Sequence, residues 1–111
     1  MKTLPNKVRK VILELEDGLK ALYGDRYRGL LLYGSFARGD AREGSDVDLL
    51  LLLEGPVDTV REILHLEPVK WPLSLNADLA LSVMPVSLED FERGATSFLR
   101  AVQEEAIPAA A

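Results

Sequence analysis

The sequence predicts an α/β domain of two or three layers built around a small sheet. Its 111 residues fit a single domain. Two nearly unbroken aliphatic runs, one around Leu30-Leu31-Leu32 and one from Val47 to Leu53, have the character of strands buried on both faces. Segments of helical periodicity lie before, between and after them, so the order reads helix, strand, short helix, strand, helix, strand, helix.

The first helix is expected over 5–24. Val8, Val11, Ile12, Leu15, Leu19 and Leu22 recur at the helical period and form one apolar stripe. Asn6 is a candidate cap at its start and Gly24 a candidate stop; Gly18 lies inside it. A strand follows over 28–34. The polar, glycine-rich segment Ser35 to Ser45 comes next, and Ser35 to Arg38 reads as a short helix.

The second strand, Val47 to Glu54, is closed by Gly55 and Pro56. Residues 57–66 suggest a helix with Val60, Ile63 and Leu64 inward. Pro68 and Pro72 act as breakers, leaving 67–75 irregular. Alternation from Asn76 to Met84 suggests a third strand. Ser87, with Asp90 three residues on, then opens a helix to about Ala106 that buries Leu88, Phe91, Ala95, Phe98, Leu99 and Val102. The domain is thus expected over 1–107, with 108–111 as a disordered, frayed tail.

Composition excludes several classes. The hydrophobic fraction of 48% is too high for a disordered chain, and the absence of cysteine excludes disulfides and thiolate metal sites. The longest apolar run, Leu49 to Leu53, is far short of a membrane span. The N-terminal residues do not read as a secretion signal, so a soluble, cytoplasmic protein is expected. A formal charge of −5 argues against binding nucleic acid through its phosphates, but a nucleotide bound through metal ions remains compatible with it.

The chemistry concentrates between Leu32 and Leu49. Gly34 and Ser35 leave a strand and enter a helix, a turn that presents backbone N–H groups and a hydroxyl to a phosphate. Alone, such a pair is also an ordinary turn. Asp46 and Asp48 stand two apart at the mouth of an aliphatic strand, so their carboxylates share a side and repel. They are either a solvated strand entrance or a seat for a hard divalent cation. Asp78, placed on one face of the third strand with Ala80 and Ser82, is either a strand-end surface residue or a third carboxylate for a two-metal site. His65, the one histidine, reads as structural or surface. Trp71, between Pro68 and Pro72, is either a partner contact or, more readily, a residue partly buried in the core.

Taken together, Gly34-Ser35, ten intervening residues, Asp46-x-Asp48 and a later acidic residue resemble the DNA polymerase β nucleotidyltransferase superfamily. The text Gly-Ser-Phe-Ala-Arg-Gly…Ser-Asp-Val-Asp-Leu is similar to its minimal nucleotidyltransferase branch. The resemblance implies the nucleotidyltransferase fold, a small mixed sheet with helices packed against it. It implies a metal-dependent enzyme that moves AMP, or another nucleoside monophosphate, from ATP or another triphosphate to a hydroxyl. Gly34 and Ser35 would hold the triphosphate. Asp46, Asp48 and Asp78 would be catalytic and bind Mg²⁺, two ions with Mn²⁺ as a substitute, and Asp78 would also help activate the acceptor. Arg38 would contact phosphate or brace the loop through Asp40 or Asp46. Ser45 would support the metal loop or simply close a turn.

Members of that branch are paired with a HEPN-domain ribonuclease toxin and, as antitoxins, transfer AMP to one of its tyrosines. A HEPN-type partner, AMPylation and a homo- or hetero-oligomer are therefore the implied setting. An antibiotic-modifying type of nucleotidyltransferase and a non-catalytic antitoxin are the two alternatives.

Overall fold

The computed structural model describes residues 4–109. In chain order it contains α1 (Asn6–Tyr23), a 3-10 turn (Gly24–Arg26), β1 (Tyr27–Tyr33), α2 (Ser35–Arg38), β2 (Val47–Leu53), α3 (Thr59–Ala77), β3 (Leu81–Ser87), α4 (Leu88–Glu92), α5 (Ser97–Glu105) and β4 (Ile107–Pro108). The strands form one sheet in the order β3-β2-β1-β4. β2 and β3 run parallel, with α3 as the crossover between them, and β1 is antiparallel to both β2 and β4. The architecture is the mixed α/β sheet that the sequence predicts.

Alternation along β2 divides the core. Val47, Leu49, Leu51 and Leu53 pack with Leu30 and Leu32 against the apolar stripe of α1 and against Leu66 of α3. Leu50 and Leu52 face the other way, onto Leu99 and Val102 of α5. The sheet is thus sandwiched between an α1/α3 layer and an α4/α5 layer, which explains why β2 is aliphatic on both faces. Helices α1 and α3 cross closely at Gly18: a Cβ there would lie 2.6 Å from Val69 Cγ1. Gly24 ends α1 as expected, whereas Asn6 is the first helical residue rather than the cap, a position held by Pro5 without a side-chain bond.

Several expectations need correction. Pro68 and Pro72 do not break α3, which runs through both. They sit on its exposed outer side, where the carbonyls they free face solvent, while Leu66, Val69 and Leu73 hold its inner side against the core. That inner side also carries Glu62, which is buried. Tyr23 Oη donates to Glu62 Oε1 at 3.1 Å and Arg26 pairs with Oε2 at 3.1 Å. The network turns Val60 and Leu64 outward, opposite to the expected face, and Trp71 is likewise exposed rather than partly in the core. His65 is exposed, with its ring edge-on to Tyr23.

Because α3 continues to Ala77, the third strand starts at Leu81 instead of Asn76 and extends through Pro85 to Ser87. The final helix is two pieces, parted at Gly94, whose φ is +60°. Ser87 caps the first, accepting from Asp90 N at 3.1 Å, and Thr96 caps the second. The break leaves Ala95 and Phe98 exposed, where an inward position was expected. Pro108 lies in β4 and Ala109 is buried, donating its N–H to Leu30 O at 3.0 Å. The expected frayed tail is thus ordered to residue 109; 110 and 111 lie outside the described residues.

Candidate nucleotide-transfer site

Antiparallel pairing of β1 with β2 brings the end of one strand beside the start of the other. Tyr33 pairs with Asp48, so Gly34 and Ser35, 11 or more positions before Asp46 and Asp48 in sequence, meet them at one end of the sheet. Gly34 has φ +75° and ψ −157°, a conformation that only glycine adopts readily. It is also pressed onto Asp48, whose Cγ would lie 3.1 Å from any Cβ placed there. The glycine therefore lets the turn approach the carboxylate. Ser35 opens α2, which closes on Gly39 in the left-handed conformation.

Asp48 alternates onto the α5 side of the sheet with Leu50 and Leu52. Burial raises its carboxyl above the ordinary range; Asp46, and more weakly Glu105, push the same way against Arg38. Tyr33 beside it is raised as well, by burial and then by Asp48 and Glu105. The corner of the sheet therefore carries more negative charge than its own cations offset.

Glu105, at the end of α5, is the residue the sequence reading missed. Its Oε2 accepts from Gly34 N at 2.5 Å and pairs with Arg38 NH1 at 3.2 Å. Arg38 also reaches Asp40 Oδ2 through Nε at 3.3 Å. Of the two roles open to Arg38, bracing is the one occupied here, through Asp40 and Glu105 rather than Asp46. No local signal marks Glu105, because 71 residues separate it from Gly34. Ser45 closes its own loop: Oγ accepts from Arg42 N at 2.9 Å and its N–H donates to Arg42 O.

Asp78 is not where the sequence placed it. It caps α3 in the left-handed conformation, φ +52° and ψ +47°, donating its N–H to the Leu75 and Ser74 carbonyls. It borders a groove with Pro5, Lys7 and Val8 of the α1/α3 layer and with Ser45. The β3 residue paired with Asp48 is Ser82, on the same side of the sheet. Among the described residues no three His, Cys, Asp or Glu side chains are grouped to hold a metal ion, so the expected triad of Asp46, Asp48 and Asp78 is not assembled.

Residues 12–107 match the nucleotidyltransferase domain family. The chain belongs to that family. It is 35% identical over 68 residues, 61% of its length and 68% of the relative's, to "Putative protein adenylyltransferase MJ0604" of Methanocaldococcus jannaschii. A solved structure described as a "putative minimal nucleotidyltransferase" is 35% identical and aligns over 90% of this chain and 87% of the other, with a TM-score of 0.50. A crystal structure of a toxin-antitoxin with AMP-PNP shares the fold at 19% identity, over 91% of this chain and 71% of the other, with a TM-score of 0.59. No helix among the described residues is long and apolar enough to cross a membrane.

The donor set at the sheet corner suits a hard cation. Two carboxylates at the start of β2, one of them partly desolvated and raised further by the other, would supply the one or two protein ligands that a hard divalent cation ordinarily takes beside water and phosphate oxygens. Family membership implies a nucleoside triphosphate, and Gly34 N and Arg38 are the cationic and N–H donors placed next to that pair.

Proposed function

We propose that this chain transfers AMP from ATP to a hydroxyl on a partner protein, a tyrosine of a HEPN-type toxin, and acts as the antitoxin of that pair. The observation that carries the reading is the meeting of the Gly34-Ser35 turn with Asp46 and Asp48 at one sheet corner. The adenylyltransferase name of the curated relative and the toxin-antitoxin neighbour bound to AMP-PNP favour a protein acceptor.

In this reading Asp46 and Asp48 hold Mg²⁺, or Mn²⁺ in its place. Bound there, the metal would supply charge neutralisation for the phosphates and the departing pyrophosphate. Gly34 N–H and Arg38 take triphosphate oxygens in place of the Glu105 carboxylate, with Ser35 beside them. Asp48, packed against Gly34, fixes how far the phosphate chain stands from the carboxylate pair, which is the positioning that phosphoryl transfer depends on. Ser45 keeps the loop before Asp46 closed. The acceptor hydroxyl comes from the partner.

The test is direct. Purified chain, ATP, Mg²⁺ and the cognate toxin should give a mass gain of AMP on a toxin tyrosine, absent with Asp46→Asn. No gain with a toxin that the chain demonstrably neutralises would overturn the reading.

A non-catalytic antitoxin is the second reading, favoured by Ser82 where a third-strand carboxylate would stand beside Asp48. It requires neutralisation to survive the double substitution Asp46→Asn and Asp48→Asn; loss of neutralisation in a folded double variant excludes it.

A further inference from the structure

The outward face of α3 carries four large apolar side chains, with Val60 68%, Leu64 70%, Trp71 54% and Leu75 60% exposed. At 100° per residue they fall within an arc of about 60°, a single stripe along the helix. Pro68 lies between them and is also exposed. On one flank the exposed neighbours are Arg61, His65, Pro72 and Asn76, none of them acidic; the other flank carries Glu67, paired with Lys70 of the same helix. In a chain of net charge −5 this face is poor in carboxylates, Glu67 being the one beside the stripe and already paired within its own helix.

We infer that this face is the seam of a homodimer, in which α3 packs antiparallel against α3 of a second copy. The inference is independent of the proposed reaction. Its basis is the spacing, which steps by four, seven and four and so reads the same from either end. A two-fold axis near Pro68 sets Val60 against Leu75 of the second copy and Leu64 against its Trp71, the self-complementary arrangement that an isologous interface requires.

Charge follows the same symmetry. Glu67 and Lys70, paired at 3.2 Å within one helix, flank the midpoint of the stripe. Reversal brings the two Glu67 carboxylates together beside the axis, with both Lys70 ammonium groups, one from each copy, next to them to offset their charge. Arg61 comes to lie against the last turn of the other α3, which has no basic residue of its own. A cation there is favoured by the helix dipole. The four side chains expose on the order of 500 Å² per copy, so pairing buries roughly 1,000 Å², the lower bound for a specific interface.

Sedimentation velocity of the full chain between about 1 and 100 µM should show a monomer passing to a dimer, as expected of an interface of this size. Trp71→Glu, a change at an exposed site, should keep the far-UV circular dichroism and remain monomeric throughout. The chain has no cysteine, so single thiols report register. With a thiol cross-linker of about 10 Å reach, the separation of packed helix axes, Pro68→Cys copies should join to each other. Val60→Cys copies should not, because an antiparallel pair holds them roughly 20 Å apart, but should join to Leu75→Cys copies. A wild type still monomeric at the highest concentration overturns the inference, as does a dimer that survives Trp71→Glu or Val60→Cys copies that join to themselves. A different protein binding this face while the wild type stays monomeric overturns it too.

Discussion

The Glu105 carboxylate accepts the Gly34 amide hydrogen at 2.5 Å, so the last residue of α5 holds the donor that leads into the Gly-Ser turn. The same oxygen holds Arg38. One carboxylate thus satisfies both groups to which the proposed function assigns the triphosphate, and in that reading the nucleotide would have to displace it. Glu105→Gln should tighten ATP binding about fivefold, the equivalent of roughly 1 kcal/mol for one partly exposed charged hydrogen bond. Titration calorimetry of both proteins with ATP and Mg²⁺ checks this; weaker binding by the variant would mean that Glu105 supports the site instead of occupying it.

Gly34→Ala should be costly to both fold and site. The residue's backbone conformation is open only to glycine, and the added carbon meets the Asp48 side chain. A loss of about 2 kcal/mol in urea unfolding is expected, with ATP binding abolished. An unchanged midpoint would show that the turn relaxes freely.

The raised carboxyl of Asp48 makes a prediction about pH. An acid whose pKa is higher in the folded than in the unfolded chain stabilises the fold fully below its unfolded value, about 4, and that benefit is lost as pH rises through the folded value. Asp48→Asn should therefore melt higher than wild type at pH 7, by a few degrees at most for a half-exposed group. The gap should close toward pH 3.5. Added Mg²⁺ should raise the melting temperature of the wild type and leave Asp46→Asn unmoved.

Glu62→Ala should cost about 2 kcal/mol, because it strips partners from the Tyr23 hydroxyl and the Arg26 guanidinium in a partly buried network. Chemical denaturation measures it. Glu62→Gln, which keeps an acceptor for Tyr23, should cost less; equal losses would assign the effect to packing.

Asp78→Gly separates a structural from a catalytic role. Its left-handed conformation suits glycine better than aspartate by about 1 kcal/mol, so the variant should be at least as stable as wild type, with AMP transfer within a few-fold. A loss of about 100-fold or more in a folded variant would return Asp78 to the chemistry.

The first two strands, α1 and the meeting of Gly34 with Asp48 were legible because each is written locally. Aliphatic runs, a 3.6-residue stripe and a strand-mouth spacing need no knowledge of distant residues. The path of α3 was not legible. Two prolines inside a helix look like a stop, and only the pairing of Glu62 with Tyr23 and Arg26 reveals which side faces in. The misread end of α3 then moved Asp78 from a strand to a helix cap. Glu105 was hidden for a different reason, since α5 returns it to Gly34 through tertiary packing alone.

Pro85 lies in β3, the strand at one border of the sheet, and β4 takes the other border beside β1. A proline has no amide hydrogen to offer an incoming strand. The β3 rim is therefore interrupted at Pro85, and at the other rim β4 is only two residues long, Ile107 and Pro108, so neither presents a long uninterrupted ladder for backbone pairing with another polypeptide. Association must proceed through side-chain surfaces, so it should be tunable by single substitutions and should carry little risk of runaway strand-by-strand polymerisation.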